Sequence, residues 1–107
     1  MKPITFLGSS LDDLRAFPAD IKQRAGYELH KVQYGEMPTD FKPMPTIGKG
    51  VSEIRLKGEN GAYRIIYTVK IGEHFYILHA FQKKTQKTAK VDIELAKNRL
   101  KQLIGGK

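Results

Sequence analysis

Two arginines and a run of lysines are the side chains of this chain best fitted to chemistry. Arg55 and Arg64 stand on consecutive strand-like stretches, residues 51–57 and 62–70, and Lys83, Lys84, Lys87 and Lys90 follow an apolar stretch that ends at Phe81. Guanidinium forks match phosphate oxygens bidentately, and ammonium groups add mobile positive charge. Converging on a phosphodiester, such groups neutralise the charge that builds on the phosphoryl oxygens as one P–O bond forms and another breaks. The reaction also needs a base and an acid. Glu53 and His79 are candidates for the base, and a lysine whose pKa is lowered by like-charged neighbours serves as either. His79 and Phe81 share a strand face with Lys83, which places an aromatic surface beside the charge. Backbone cations with a stacking platform are how single-stranded RNA is held, and Lys57, Lys87 and Lys90 would extend the charged track.

Each of these residues has a plain alternative. Arg64 or Arg55 can pair with Glu53 across neighbouring strands. His79 can be a satisfied histidine within an apolar strand, and Phe81 serves equally as core or platform. Tyr63 and Tyr67 read as core. His30 and His74 have no carboxylate or second histidine at ligand spacing, so no metal is expected. No glycine signature that cradles phosphate follows a strand, so no nucleotide cofactor is expected either.

The charge is unevenly spread. Of the formal +8 over 107 residues, residues 82–107 hold +6, from eight Lys and Arg less Asp92 and Glu94. A sequence pI near 9.8 narrows the partners to nucleic acid, an acidic membrane surface or an acidic protein. Membrane binding is the weakest of these, because the last helix has only aliphatic residues at ordinary core spacing. There is no Cys, which excludes disulfides and thiol chemistry and fits a reducing cytoplasm. Met1–Leu7 is too short an apolar stretch for a signal peptide or membrane span. Residues 1–107 are expected to form one domain.

The elements that must position these groups follow from the pattern. A short strand at residues 4–7 ends at Gly8, and Ser9 or Ser10 can cap a short helix. Leu14, Phe17, Ile21, Ala25, Leu29 and Val32 recur every three or four residues, one face of a helical hairpin broken at Phe17-Pro18 and ended at Gly35. Lys22, Arg24 and Lys31 fall off that stripe and read as solvated. Residues 36–50, with three prolines, form a long connection, either functional or a strap packing Phe41, Met44 and Ile47 over the sheet edge. Three strands then follow, with turns at Glu59-Asn60-Gly61 and Gly72-Glu73. Thr88 is placed to cap a last helix whose stripe is Ile93, Ala96, Leu100, Leu103 and Ile104, ended at Gly105-Gly106. The expected fold is α+β: a small antiparallel sheet, the meander plus the N-terminal strand, with two N-terminal helices and one C-terminal helix.

The stretches Glu53-Ile54-Arg55, Tyr63-Arg64-Ile65-Ile66-Tyr67 and Leu78-His79-Ala80-Phe81-Gln82-Lys83-Lys84-Thr85 resemble the HigB-like, phage-related branch of the RelE/ParE toxin superfamily. The resemblance spans nearly the whole chain, and the last stretch is its most specific part. It implies a RelE-like fold and a toxin of a type II toxin–antitoxin system. The implied activity is that of an mRNA endonuclease (mRNA interferase) that cuts messages held in the ribosome and so inhibits translation. It also implies a small helix-turn-helix antitoxin, HigA-like, as partner. By position, Arg64 matches the strand arginine that contacts the scissile phosphate. Lys84, with Lys83, matches a second catalytic side chain after the last strand, and Arg55 and Lys57 match cations of the preceding strand. Where some relatives carry Tyr or His beyond that strand this chain has Lys87, Thr88 and Lys90, so the resemblance does not assign the proton-transfer roles. Two other functions stay open on the residues alone: inhibition of DNA gyrase, as in ParE-type relatives, and RNA or ribosome binding without catalysis.

Overall fold

Alternation along three consecutive strands builds the centre of the molecule. The computed structural model describes residues 1–70, 74–84 and 87–105. In it β3 (Val51–Gly58), β4 (Gly61–Lys70) and β5 (His74–Lys83) form an antiparallel meander. Successive side chains of a strand point to opposite faces. Ile54 and Leu56 of β3, Tyr63, Ile65 and Tyr67 of β4, and Phe75, Ile77 and Ala80 of β5 therefore enter a single core on one side. Gly58 pairs with Gly61 across the two-residue turn Glu59-Asn60, and Gly61 has φ 145°, a conformation that favours glycine. The expected turn at Gly72-Glu73 lies outside the described residues.

The helical hairpin closes that core. It consists of α1 (Ser10–Arg15) and α2 (Ala19–Gln33), and all six residues of its apolar stripe are buried there. Pro18 takes the N-cap position of α2 rather than its first turn, and Gly35, with φ 86°, follows the C-cap Tyr34. Ser9 precedes α1, but its hydroxyl donates to Asp13 Oδ2 and caps no backbone N–H.

The sheet has more strands than the meander and the N-terminal strand. Phe41–Pro43 forms β2, antiparallel to β3, and β1 (Ile4–Phe6) runs parallel to β5, so the sheet is mixed, in the order β1-β5-β4-β3-β2. A proline fits β2 because this is an edge strand, where a missing N–H costs no ladder bond. Beyond it, Met44 and Ile47 are buried on the opposite face from the helical hairpin, so the proline-rich stretch is a strap.

That opposite face is only partly covered. The last helix, α3 (Lys90–Gly105), buries Ala96 and Leu100, with Ile93 and Leu103 partly buried, against Ile66, Leu78 and Phe81. A bulge supports this docking: Ile66 pairs with His79 and Tyr67 with Ile77, leaving Leu78 as the extra residue. Leu78 packs under α3 while its neighbour His79 bonds Asp92 on the same helix. Two expectations for α3 are corrected. Ile104 is 59% exposed and outside the stripe, which turns away in the last turn. Thr88 does not cap the helix; its hydroxyl is held by Glu53, and the Ala89 carbonyl accepts from Asp92 and Ile93 instead. Gly106 lies outside the described residues.

The stripe has a direct test. Leu100→Ala should lower stability by about 2–4 kcal/mol in chemical denaturation, while Ile104→Ala should stay within about 0.5 kcal/mol of the parent.

Candidate functional site

Register decides which charged side chains meet. Arg55 of β3 stands directly opposite Arg64 of β4, an arrangement that is unfavourable for like charges. Glu53 relieves it. Its Oε1 lies 3.4 Å from Arg64 Nε, with both side chains almost wholly buried, and its Oε2 accepts a 2.7 Å hydrogen bond from Thr88 Oγ1. Arg64 Nη1 also donates to the Tyr63 carbonyl, at 3.1 Å. Arg64 Nε is buried without a well-aligned hydrogen bond, so the link to Glu53 is chiefly Coulombic. Burial pushes the Arg64 pKa down, Glu53 opposes that, and Arg55 adds to it.

Above this pair opens a cleft of about 380 Å³. Lys42, Arg55, Lys83 and Lys87 line it together with a single carboxylate, that of Glu53; Pro43, Met44, Pro45, Thr46, Thr88 and Ile93 complete the walls. Three strands and the segment before α3 thus bring four cations to one recess. The pKa of Lys83 is lowered from 10.5, first by partial loss of solvent and then by Arg64, with Glu53 opposing and Arg55 and Lys42 adding to the effect. A recess of this kind holds an anion with several oxygens, and it offers an ammonium that releases its proton more readily than a free lysine does.

The expected site residues divide into those the cleft gathers and those it does not. Glu53, Arg55, Lys83 and Lys87 line it. Arg64 and Lys84, expected to converge on one phosphate, do not share it: Arg64 is buried behind Glu53, and Lys84 is exposed beyond the strand end. Lys57 and Lys90 are exposed and lie outside the lining. His79 is tied to α3 instead of lining the cleft: its Nε2 lies 2.7 Å from Asp92 Oδ1 and its ring stacks on Phe81, with centroids 4.7 Å apart. Phe81 is only 9% exposed, belongs to the core under α3 and lies outside the cleft lining. Thr85 and Gln86 of the lysine-rich stretch lie outside the described residues. Lys42 was missed. The only signal for it is a strand at Phe41-Lys42-Pro43, where register pairs Lys42 with Glu53. Among the described residues no group of three or more His, Asp and Glu side chains is placed to hold a metal ion, and no helix is long and apolar enough to cross a membrane.

The family model described as phage-derived protein Gp49-like (DUF891) matches residues 12–101, a span that contains every residue lining the cleft. The chain belongs to the Gp49-like family. This is a family of RelE/HigB-like toxins, and the small mixed sheet with three helices is compatible with a RelE-like fold. None of the curated proteins matches the chain. In this Gp49-like chain the matched region runs from α1 into α3 and so takes in the Glu53–Arg64 pair as well as the cleft above it.

The pair predicts a strong non-additivity. Glu53→Leu and Arg64→Met should each cost about 3–5 kcal/mol, because each strands a buried charge. The double variant should cost at least about 2 kcal/mol less than the sum, measured by urea denaturation of all four proteins.

Proposed function

We propose that this protein is the toxin of a type II toxin–antitoxin pair, of the HigB-like branch, and that it cleaves mRNA on the ribosome. The observation that carries the reading is the cleft in which Lys42, Arg55, Lys83 and Lys87 surround one carboxylate. In the proposed reaction the ribose 2′-oxygen attacks the adjacent phosphorus and the P–O5′ bond breaks. The products are a 2′,3′-cyclic phosphate and a 5′-hydroxyl. Arg55 and Lys42 neutralise the phosphoryl oxygens as negative charge gathers on them. Glu53, the only carboxylate among the described residues of the lining, accepts the 2′-hydroxyl proton, and Lys83 donates a proton to the departing 5′-oxygen. Arg64 acts from beneath by fixing Glu53. Ribosomal positioning of the message supplies the alignment that this small open cleft lacks, so free RNA is a poor substrate.

The partner in this reading is a helix-turn-helix antitoxin encoded beside the toxin. Acidic segments of such a protein would meet the basic surface around the cleft.

Arg55→Ala and Lys83→Ala should each reduce message cleavage by at least about 100-fold with the fold retained, as removal of a transition-state charge partner does. Mapping of RNA ends after a short induction checks this. Intact messages with gyrase-dependent DNA breaks would overturn the reading, and so would unchanged cleavage in the double variant. The pH profile tests Lys83 separately. An acid is lost as pH rises through its pKa, so the alkaline limb of kcat/KM should fall below the 10.5 of an ordinary lysine. In Lys83→Arg that limb should move out of range while the rate drops.

A further inference from the structure

Part of the cleft lining is apolar and pre-formed. Pro43 sits in β2, in register with Ser52, and the Met44 N–H donates to the Val51 carbonyl at 2.9 Å. The Met44 carbonyl in turn accepts from Ile47 and Gly48, at 3.0 and 3.3 Å, which closes the strap into a tight turn. Pro43 and Pro45 have fixed φ and stay exposed, while Met44 is buried beneath them and Ile93 of α3 continues the wall. Exposed prolines at the mouth of a cationic recess do nothing for a bare anion. They suit a ligand that joins an anionic group to a flat apolar one over a short distance.

From this we infer that the Pro43–Thr46 wall is a nucleobase subsite, seating the base of the nucleotide whose phosphate lies on Arg55 and Lys83. This deepens the ribonuclease reading and rests on it. A recess of about 380 Å³ falls within the size range of small-ligand pockets, in which apolar walls hold the body and a few polar groups fix the orientation. The wall offers its face to the base, and every base has an apolar face. The subsite therefore selects for a base being present rather than for which base it is. A strap pinned by backbone bonds and prolines also keeps its shape without ligand, so little ordering is lost on binding.

The test uses the full chain at low salt with four probes: inorganic phosphate, ribose 5-phosphate, and the 5′-monophosphates of adenosine and uridine. Both nucleotides should bind about tenfold tighter than ribose 5-phosphate, the effect of covering one base face with apolar surface, and within a few-fold of each other. Pro45→Ser should remove most of that advantage and leave ribose 5-phosphate affinity unchanged. In the parent protein, the Met44 methyl and Thr46 amide NMR signals should shift with the nucleotides and not with ribose 5-phosphate, a readout that needs no variant. Equal affinity for nucleotides and ribose 5-phosphate would overturn the subsite and leave the cleft as a phosphate site. A base-dependent gain with no shift at Met44 or Thr46 would also overturn it. Failure of every probe to bind would overturn both the subsite and the cleft as a phosphate site, whereas the ribonuclease reading itself falls only if messages stay intact after induction.

Discussion

The buried contact between Glu53 and Arg64 is the constraint from which the rest of the cleft follows. Two arginines from adjacent strands stand opposite one another, and the sheet tolerates them because one carboxylate lies between the guanidinium of Arg64 and the strap that carries Lys42. Taking this pair out of water is costly, and a well-packed apolar pair of similar volume would stabilise the fold at least as well. What the charged pair provides is placement. Glu53 holds Thr88 at the sheet before α3 begins, and Lys87 beside it lines the cleft. Arg64 absorbs part of the carboxylate's charge, which leaves the rim of the recess strongly positive.

The two faces of the sheet divide the work. One face carries an unbroken apolar core beneath the helical hairpin and sets stability. The other is shared between α3 and the cleft, and the β5 bulge marks where one gives way to the other. His79 and Asp92 fasten α3 at this boundary, so the histidine serves the architecture while the lysine four residues later serves the recess. The fastening also fixes Ile93, which lines the cleft from the helix side.

Much of this was legible in the residues, for reasons that can be named. The 3.6-residue stripe from Leu14 to Val32 and the alternation in β3 and β4 are strong periodic signals, and their apolar members proved buried except Val69 near the end of β4, which is exposed. Glu53 pairing with Arg64 was the plain alternative for a strand arginine. The strand β2 was hidden because prolines normally argue against a strand, and only its edge position excuses them. The parallel direction of β1 depends on where the hairpin returns the chain, which no local pattern records. The exchange of Lys84 for Lys83 is a matter of a single residue. Because β5 runs through Lys83, alternation aims that side chain to the Arg64 face, and Lys84 falls beyond the strand. Burial of Arg64 and Phe81 depended on how far α3 and the strap reach over the sheet, a tertiary fact.

The most direct test is an NMR titration of arginine and lysine side chains with a short RNA that cannot be cut because its 2′-hydroxyls are methylated. The account predicts that Arg55, Lys42 and Lys83 signals shift together with one affinity, while Arg64 Nε–H stays protected from solvent and moves little. Shifts confined to Lys22 and Lys31 on α2, or to Lys84 and Lys90 with Arg55 and Lys83 unmoved, would contradict it.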